Sequence, residues 1–142
     1  GNKPDEFVHD ILACIKKQVE IEERAYWRKK GCSPRSVLYV ATDSPTHVPM
    51  VADGLRGVID VVSHPNATTF VHTNKENKFE ELLIPMSDWW MLGEADVAFS
   101  GMVQKNYIST FFTSAVGRKK TRTIVVANKD VCELTPINQD VQ

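Results

Sequence analysis

Ser109, Thr110 and Phe111 form a short polar-to-aromatic sequence at which a helix is predicted to begin, after a loop that follows a short apolar strand. The first amides of a helix have no partner within it, and the helix dipole is positive at that end. Such a turn can bind phosphate oxygens through its amides and hydroxyl groups. The three residues are therefore candidates for contacting a phosphate, although Ser109 and Thr110 can equally be no more than a helix start.

Two aspartates accompany this turn. Asp43 lies two residues after an apolar strand predicted at Val37–Ala41, and Asp88 comes before the second strand–helix unit. A carboxylate in such a place can accept paired N–H donors from a base or hold ribose hydroxyls. Each aspartate also has a structural interpretation, because Asp43 can cap the following turn, and either Ser87 or Asp88 can be a helix N-cap.

The elements that must position these side chains alternate along the chain. Apolar spacing and turn residues predict helices over about 4–30, 46 or 47 to 56, 78–84, 86–94 and 106 or 109 to 116, with Pro85 separating the third from the fourth. Strands are predicted at 37–41, 58–62, 97–99 and 123–126. Such alternation predicts an α/β fold, with a Rossmann-like parallel sheet covered by helices on both faces. Ligands of these sheets bind beyond the carboxyl ends of the strands, where Asp43 and Ser109 are expected to meet.

Composition limits the possible classes. The 142 residues predict a single domain, with a nucleotide-binding-like core over about 37–126 and an irregular tail at 127–142. The net charge of -1 gives no electrostatic reason to expect nucleic acid as a partner. No apolar run approaches the roughly 20 residues that span a bilayer, so no membrane insertion is expected.

The cysteines and one asparagine bear on metal binding and on compartment. Cys14, Cys32 and Cys132 lack the close spacing of a zinc or redox site, and no metal site is expected. An odd cysteine count fits either a reduced intracellular protein or a secreted fragment whose third partner is absent. Asn66 begins an Asn-Ala-Thr glycosylation sequon in a predicted loop, and both use and chance occurrence of the sequon remain open.

Taken together, the motifs resemble the C-terminal half of the fucosyltransferases. The resemblance covers about residues 37–126 and is carried by Val40-Ala41-Thr42-Asp43, Asp88, Phe99-Ser100-Gly101, Ser109-Thr110-Phe111 and Arg118. The protein O-fucosyltransferases and the α1,6- and α1,2-fucosyltransferases share a GT-B arrangement of two Rossmann-like halves. The chain thus looks like one half of a GT-B glycosyltransferase.

The resemblance implies a binding role for each matched residue. In that family this half holds GDP-fucose without a metal, so Asp43 and Asp88 would contact the guanine or its ribose. Residues 109–111 would meet the diphosphate. Arg118 matches a basic residue beyond that motif, although it can also complement the end of a helix. The family's setting implies the lumen of the ER or Golgi, or the secretory pathway.

The chain also departs from the family. The His-x-Arg motif that normally precedes the first helix does not occur in it, and the loop between Gly101 and Ser109 is long. The start at Gly1 leads us to expect a trimmed chain that lacks the acceptor-binding N-terminal half. The expected function is therefore a nucleotide-sugar-binding half that is inactive alone. The alternative is a non-catalytic α/β module that binds a protein or small ligand at the same rim.

Overall fold

The computed structural model describes residues 6–44, 46–64, 79–101, 109–126 and 131–135. The elements are α1 (Glu6–Lys30), β1 (Val37–Val40), α2 (His47–Gly54), β2 (Asp60–Ser63), α3 (Phe79–Glu94), β3 (Val97–Gly101), α4 (Thr110–Gly117) and β4 (Arg122–Val126). The glycosylation sequon at Asn66, the loop at 102–108 and most of the predicted tail lie outside the described residues. The predicted alternation of strands and helices is confirmed, so the protein is of the mixed α/β class.

The first helix follows from its apolar stripe. Val8, Leu12 and Ile15 are buried on one face of α1, because residues three and four apart lie on the same side of a helix. Basic residues occupy its last turn, where they complement the negative end of the helix dipole. The helix ends at Gly31, whose φ of 73° is a left-handed conformation that favours glycine.

The predicted interruption at Pro85 is wrong, because α3 continues through this residue. Proline removes one backbone donor and crowds the preceding turn. Pro85 is buried, however, and residues on both sides of it pack against the rest of the protein. The interpretation of Ser87 or Asp88 as an N-cap is therefore also wrong, since both residues lie inside the helix.

The strands form two separate parallel pairs. β1 pairs with β2, from Val37 opposite Asp60 to Val40 opposite Ser63. β3 pairs with β4, and its last residue, Gly101, lies opposite Val126. Parallel pairing was predicted, but the expected continuous sheet is replaced by two two-stranded sheets.

The two sheets lie between two layers of helices. Along β3, Phe99 packs with the core formed by α1 and α2, whereas the adjacent Ala98 packs against α4. Along β1, Leu38 contacts the same α1–α2 core, and the adjacent Tyr39 reaches α3. Successive side chains of a strand point to opposite faces. It follows that α1 and α2 cover one face of both sheets, and α3 and α4 cover the other.

A disulfide ties the first helix to the last described segment. The bond joins Cys14, buried on α1, to Cys132, with 5.4 Å between their Cα atoms. Residues 131–135 lie along the outer edge of β4, where the Thr135 amide donates to the Thr123 carbonyl at 2.7 Å. Cys32 is free and exposed, so the odd cysteine count reflects one bonded pair and one thiol.

Candidate functional site

A cavity of about 1450 Å³ lies between β1 and β3 and reaches their carboxyl ends. Its wall includes Asp43 after β1, Asp88 of α3, and Ser109 and Phe111 at the beginning of α4. Four of the six residues predicted to bind a ligand thus share one cavity. Thr110, which is exposed, and Arg118 are not part of this wall.

Asp88 is the most deeply placed of these acids. Its side chain is only 7% exposed, and one carboxylate oxygen accepts a hydrogen bond of 2.7 Å from the Tyr39 hydroxyl. Leu38 and Val40 point to the face of β1 that α1 and α2 cover, whereas Tyr39 points to the opposite face. Asp88 of α3 lies on that opposite face. The pair therefore joins the helix layer to the strand at one side of the cavity.

Burial dominates the electrostatics of this pair. Removal from water raises the pKa of Asp88, and the Tyr39 hydrogen bond and the nearby His64 only partly oppose that shift. Burial likewise raises the pKa of Tyr39, and the bonded Asp88 raises it further. The phenol therefore stays a donor, and the Asp88 carboxyl lies in surroundings that disfavour its charged form. An N–H or O–H donor from a ligand would stabilise that charge.

The loop after β1 is held by a compact polar turn. The Ser44 amide donates to the Thr42 hydroxyl at 3.0 Å, and the same hydroxyl lies 3.3 Å from a ring nitrogen of His47. The His47 amide donates to the Ser44 carbonyl at 3.1 Å. These bonds fix the backbone on both sides of Asp43, whose side chain is exposed at the mouth of the cavity.

The predicted helix start at Ser109 is confirmed. Ser109 is the N-cap of α4, and its side chain makes no capping hydrogen bond. Its carbonyl accepts the Thr113 amide at 3.0 Å, which is the first bond of the helix. Phe112 is buried in a core cluster with Ala98 and Val116, and both Phe111 and Phe112 contribute to the cavity wall. The first amides of α4 therefore lie beside the cavity.

Arg118 lies at the other end of α4. A helix of eight residues is about 12 Å long, so this side chain is separated from the Ser109 turn. Its guanidinium lies 3.9 Å from the ring centre of Trp90 and donates to Glu94 at 3.0 Å. The structure does not bring Arg118 to the cavity, and its contact with a diphosphate stays a prediction.

Sequence reasoning missed the part that Tyr39 plays in the site and the electrostatic effect of His64 on Asp88. Tyr39 looks like one more apolar residue of a buried strand, although a buried phenol generally needs a hydrogen-bond partner. That requirement was the available signal. His64 follows β2, and nothing local in the sequence indicated that it lies close enough to Asp88 to lower the pKa of that carboxyl.

Three comparisons bear on the assignment. No protein-family model, no curated protein and no solved structure matches this chain. Among the residues that the structure describes, no group of three or more histidine, cysteine or acidic side chains is arranged to hold a metal ion. Within the same residues, no helix is both long and apolar enough to cross a bilayer. The site must therefore be interpreted from its own chemistry.

Proposed function

We propose that this protein is the nucleotide-sugar-binding half of a GT-B fucosyltransferase and that its cavity holds the nucleoside diphosphate part of GDP-fucose. The donor is proposed from the sequence resemblance. We further propose that residues 1–142 do not transfer the sugar unaided, because no His-x-Arg motif occurs among them.

The observation that supports the proposal best is the convergence of unlike groups on one cavity. Asp43 and Asp88 line the same cavity as Ser109 and Phe111, the residues on either side of the first residue of α4. Acids suit the N–H and O–H donors of a base or ribose, whereas helix amides suit phosphate oxygens. A nucleoside diphosphate carries both kinds of group within one small molecule.

The proposed chemistry is displacement at the anomeric carbon of fucose, with GDP as the leaving group. Charge that develops on the diphosphate would be stabilised by the first amides of α4 and by an arginine from the other half. Asp88 would accept donors from guanine or its ribose. Thr110 would add its hydroxyl at the diphosphate.

The disulfide supports a proposed location in the secretory pathway. Disulfide bonds persist in oxidising compartments and are rare in the cytosol. The Cys14–Cys132 bond joins distant parts of the described structure and is compatible with an ER or Golgi lumen.

Titration calorimetry of the chain with GDP, and with ADP and UDP as controls, tests the proposal. EDTA is included because the proposed binding needs no metal. Selective GDP binding supports a guanine-specific site. Equal binding of all three nucleotides would indicate that the beginning of α4 is only a general anion site. If no nucleotide binds, the proposal that this half alone binds GDP is contradicted.

Asp88→Ala provides a sharper test. We expect it to weaken GDP binding by about 1–3 kcal/mol, the range for hydrogen bonds to a charged group. Asp53→Ala is the matched control, because Asp53 lies on α2 with a 71% exposed side chain paired to Arg56. Equal GDP affinity in the folded Asp88 variant and the control would remove Asp88 from the site.

A further inference from the structure

The cavity continues below the rim as a slot between two strand edges, which we call the interstrand groove. Its walls are Val37–Val40 of β1 and Val97–Gly101 of β3. Among the described strands, β1 pairs only with β2, and β3 only with β4. A strand directs about half of its backbone donors and acceptors to each side. Within the described residues, the edges that face the groove therefore carry backbone groups with no partner strand.

Helices line the two remaining sides of the groove. Val8, Ile11 and Ile15 of α1 lie on one side, and Asp88 and Leu92 of α3 lie on the other. The volume of about 1450 Å³ exceeds the ~300–1,000 Å³ typical of small-molecule pockets. The lining includes residues along the full length of β1 and β3 as well as residues of the rim, so the cavity has room for an extended strand between the two edges and for a ligand above it.

The direction of α1 indicates how a strand in the groove would be connected. Glu22 of α1 pairs with Arg122 at the beginning of β4, whereas the earlier Cys14 packs on Ile124 and Val126. Helix α1 therefore runs antiparallel to the strands, and its first turn lies toward their carboxyl ends. A parallel strand in the groove would end at that same rim and could pass directly into α1.

The handedness of this connection is also favourable. Helix α2 joins β1 to β2 by a step away from the groove, and α2 covers the same face as α1. A connection from a strand in the groove through α1 to β1 would move in the same direction across the sheet and pass over the same face. It would therefore have the same handedness as the β1–α2–β2 connection. Connections between parallel strands are right-handed in nearly all proteins.

We propose that the interstrand groove is the seat of a fifth parallel β-strand, an extended apolar segment of polypeptide that leads into the N-terminus of α1. At about 3.3 Å per residue, about five residues would match the length of β3. Helices would cover both faces of the strand, so its side chains would be mainly apolar, with a hydrogen-bond donor suited to the position that faces Asp88. The result is one continuous sheet in the order β2, β1, the new strand, β3, β4.

The added strand would form without nucleotide, although it would change the rim of the candidate site. The carboxyl end of the added strand would emerge between Asp43 and Ser100. The residues that follow it would complete the wall of the candidate site.

The test is an N-terminal extension, Val-Thr-Ile-Val-Val, joined to Gly1 so that the natural residues before α1 serve as the connection. Backbone amide exchange is measured by NMR without any nucleotide. We expect amides of β1 and β3 to exchange more slowly by about tenfold or more than in the parent chain, with smaller changes in β2.

The control extension is Val-Thr-Pro-Val-Val, since proline cannot donate to a ladder. Equal exchange at β1 and β3 in the two folded extended chains overturns the proposal. Slower exchange that appears only with dimerisation, measured by light scattering, overturns the direct connection into α1. If the first extension prevents folding, Val-Thr-Val-Thr-Val replaces it under the same comparison.

Discussion

Breaking the Cys14–Cys132 bond should lower the free energy of unfolding by several kcal/mol. The bond closes a loop with a sequence separation of 118. In the chain-entropy treatment, a loop of that size restricts the unfolded ensemble by about 5 kcal/mol at 25 °C, and measured losses are commonly about 2–5 kcal/mol. We therefore expect a loss within that range.

Urea denaturation followed by tryptophan fluorescence measures this loss in Cys14→Ala, in Cys132→Ala and in the double variant. Each single variant already removes the bond, so the second substitution should add only a local packing effect. The double variant should thus lose little more than the less stable single variant, instead of the sum of both losses. Cys32→Ala is the matched control, because that thiol is free and exposed.

A thiol count in denaturant supplies an independent check. The parent chain should present one reactive thiol and each single variant two, since the former partner becomes free. Additive losses in the cycle, or three reactive thiols in the unreduced parent, would refute the bond and the magnitude derived from it.

Three further predictions concern α3 and α4. Burial raises the pKa of Asp88 above its value in the unfolded chain, so its protonated form stabilises the fold at pH values below the ordinary carboxyl range. This stabilisation is lost as pH rises through the raised pKa. Asp88→Asn should reduce the fall in the free energy of unfolding with rising pH, measured by denaturation across pH. Gly93→Ala should cost about 1–3 kcal/mol in urea denaturation, because an added Cβ would lie 2.7 Å from the Ala115 carbonyl oxygen, and unchanged stability would contradict this close packing. Arg118→Met should remove the stacking on Trp90 and lower stability by roughly 0.5–1 kcal/mol, and a loss of GDP affinity in the same folded variant would support its predicted contact with the diphosphate.

The local features of the fold could be predicted well from sequence. The stripe that includes Val8 and Ile15 predicts α1, because helix periodicity places those residues on one face. Pro85 shows the limit of a local rule. A proline weakens a helix by a defined amount, but packing of the surrounding residues in α3 decides whether the helix continues.

Contacts between distant elements were harder to predict. Strand direction follows from the alternation of strands and helices, but the groove between β1 and β3 depends on which strand edges meet. For the site, the rule that ligands bind beyond the carboxyl ends of strands selected Asp43 and Ser109. The Tyr39–Asp88 bond joins residues 49 positions apart, and no local pattern specifies such a partner.

The arrangement of strand edges also bears on how the protein behaves at high concentration. Unpaired strand edges are templates for aggregation when they face solvent. Here the free edges of β1 and β3 face each other inside the groove, and residues 131–135 lie along the outer edge of β4. The outward edge of β2 is short and begins with the charged Asp60, which hinders pairing with another chain. Opening of the Cys14–Cys132 link would release the cover of β4, so reducing conditions are expected to promote self-association as well as unfolding.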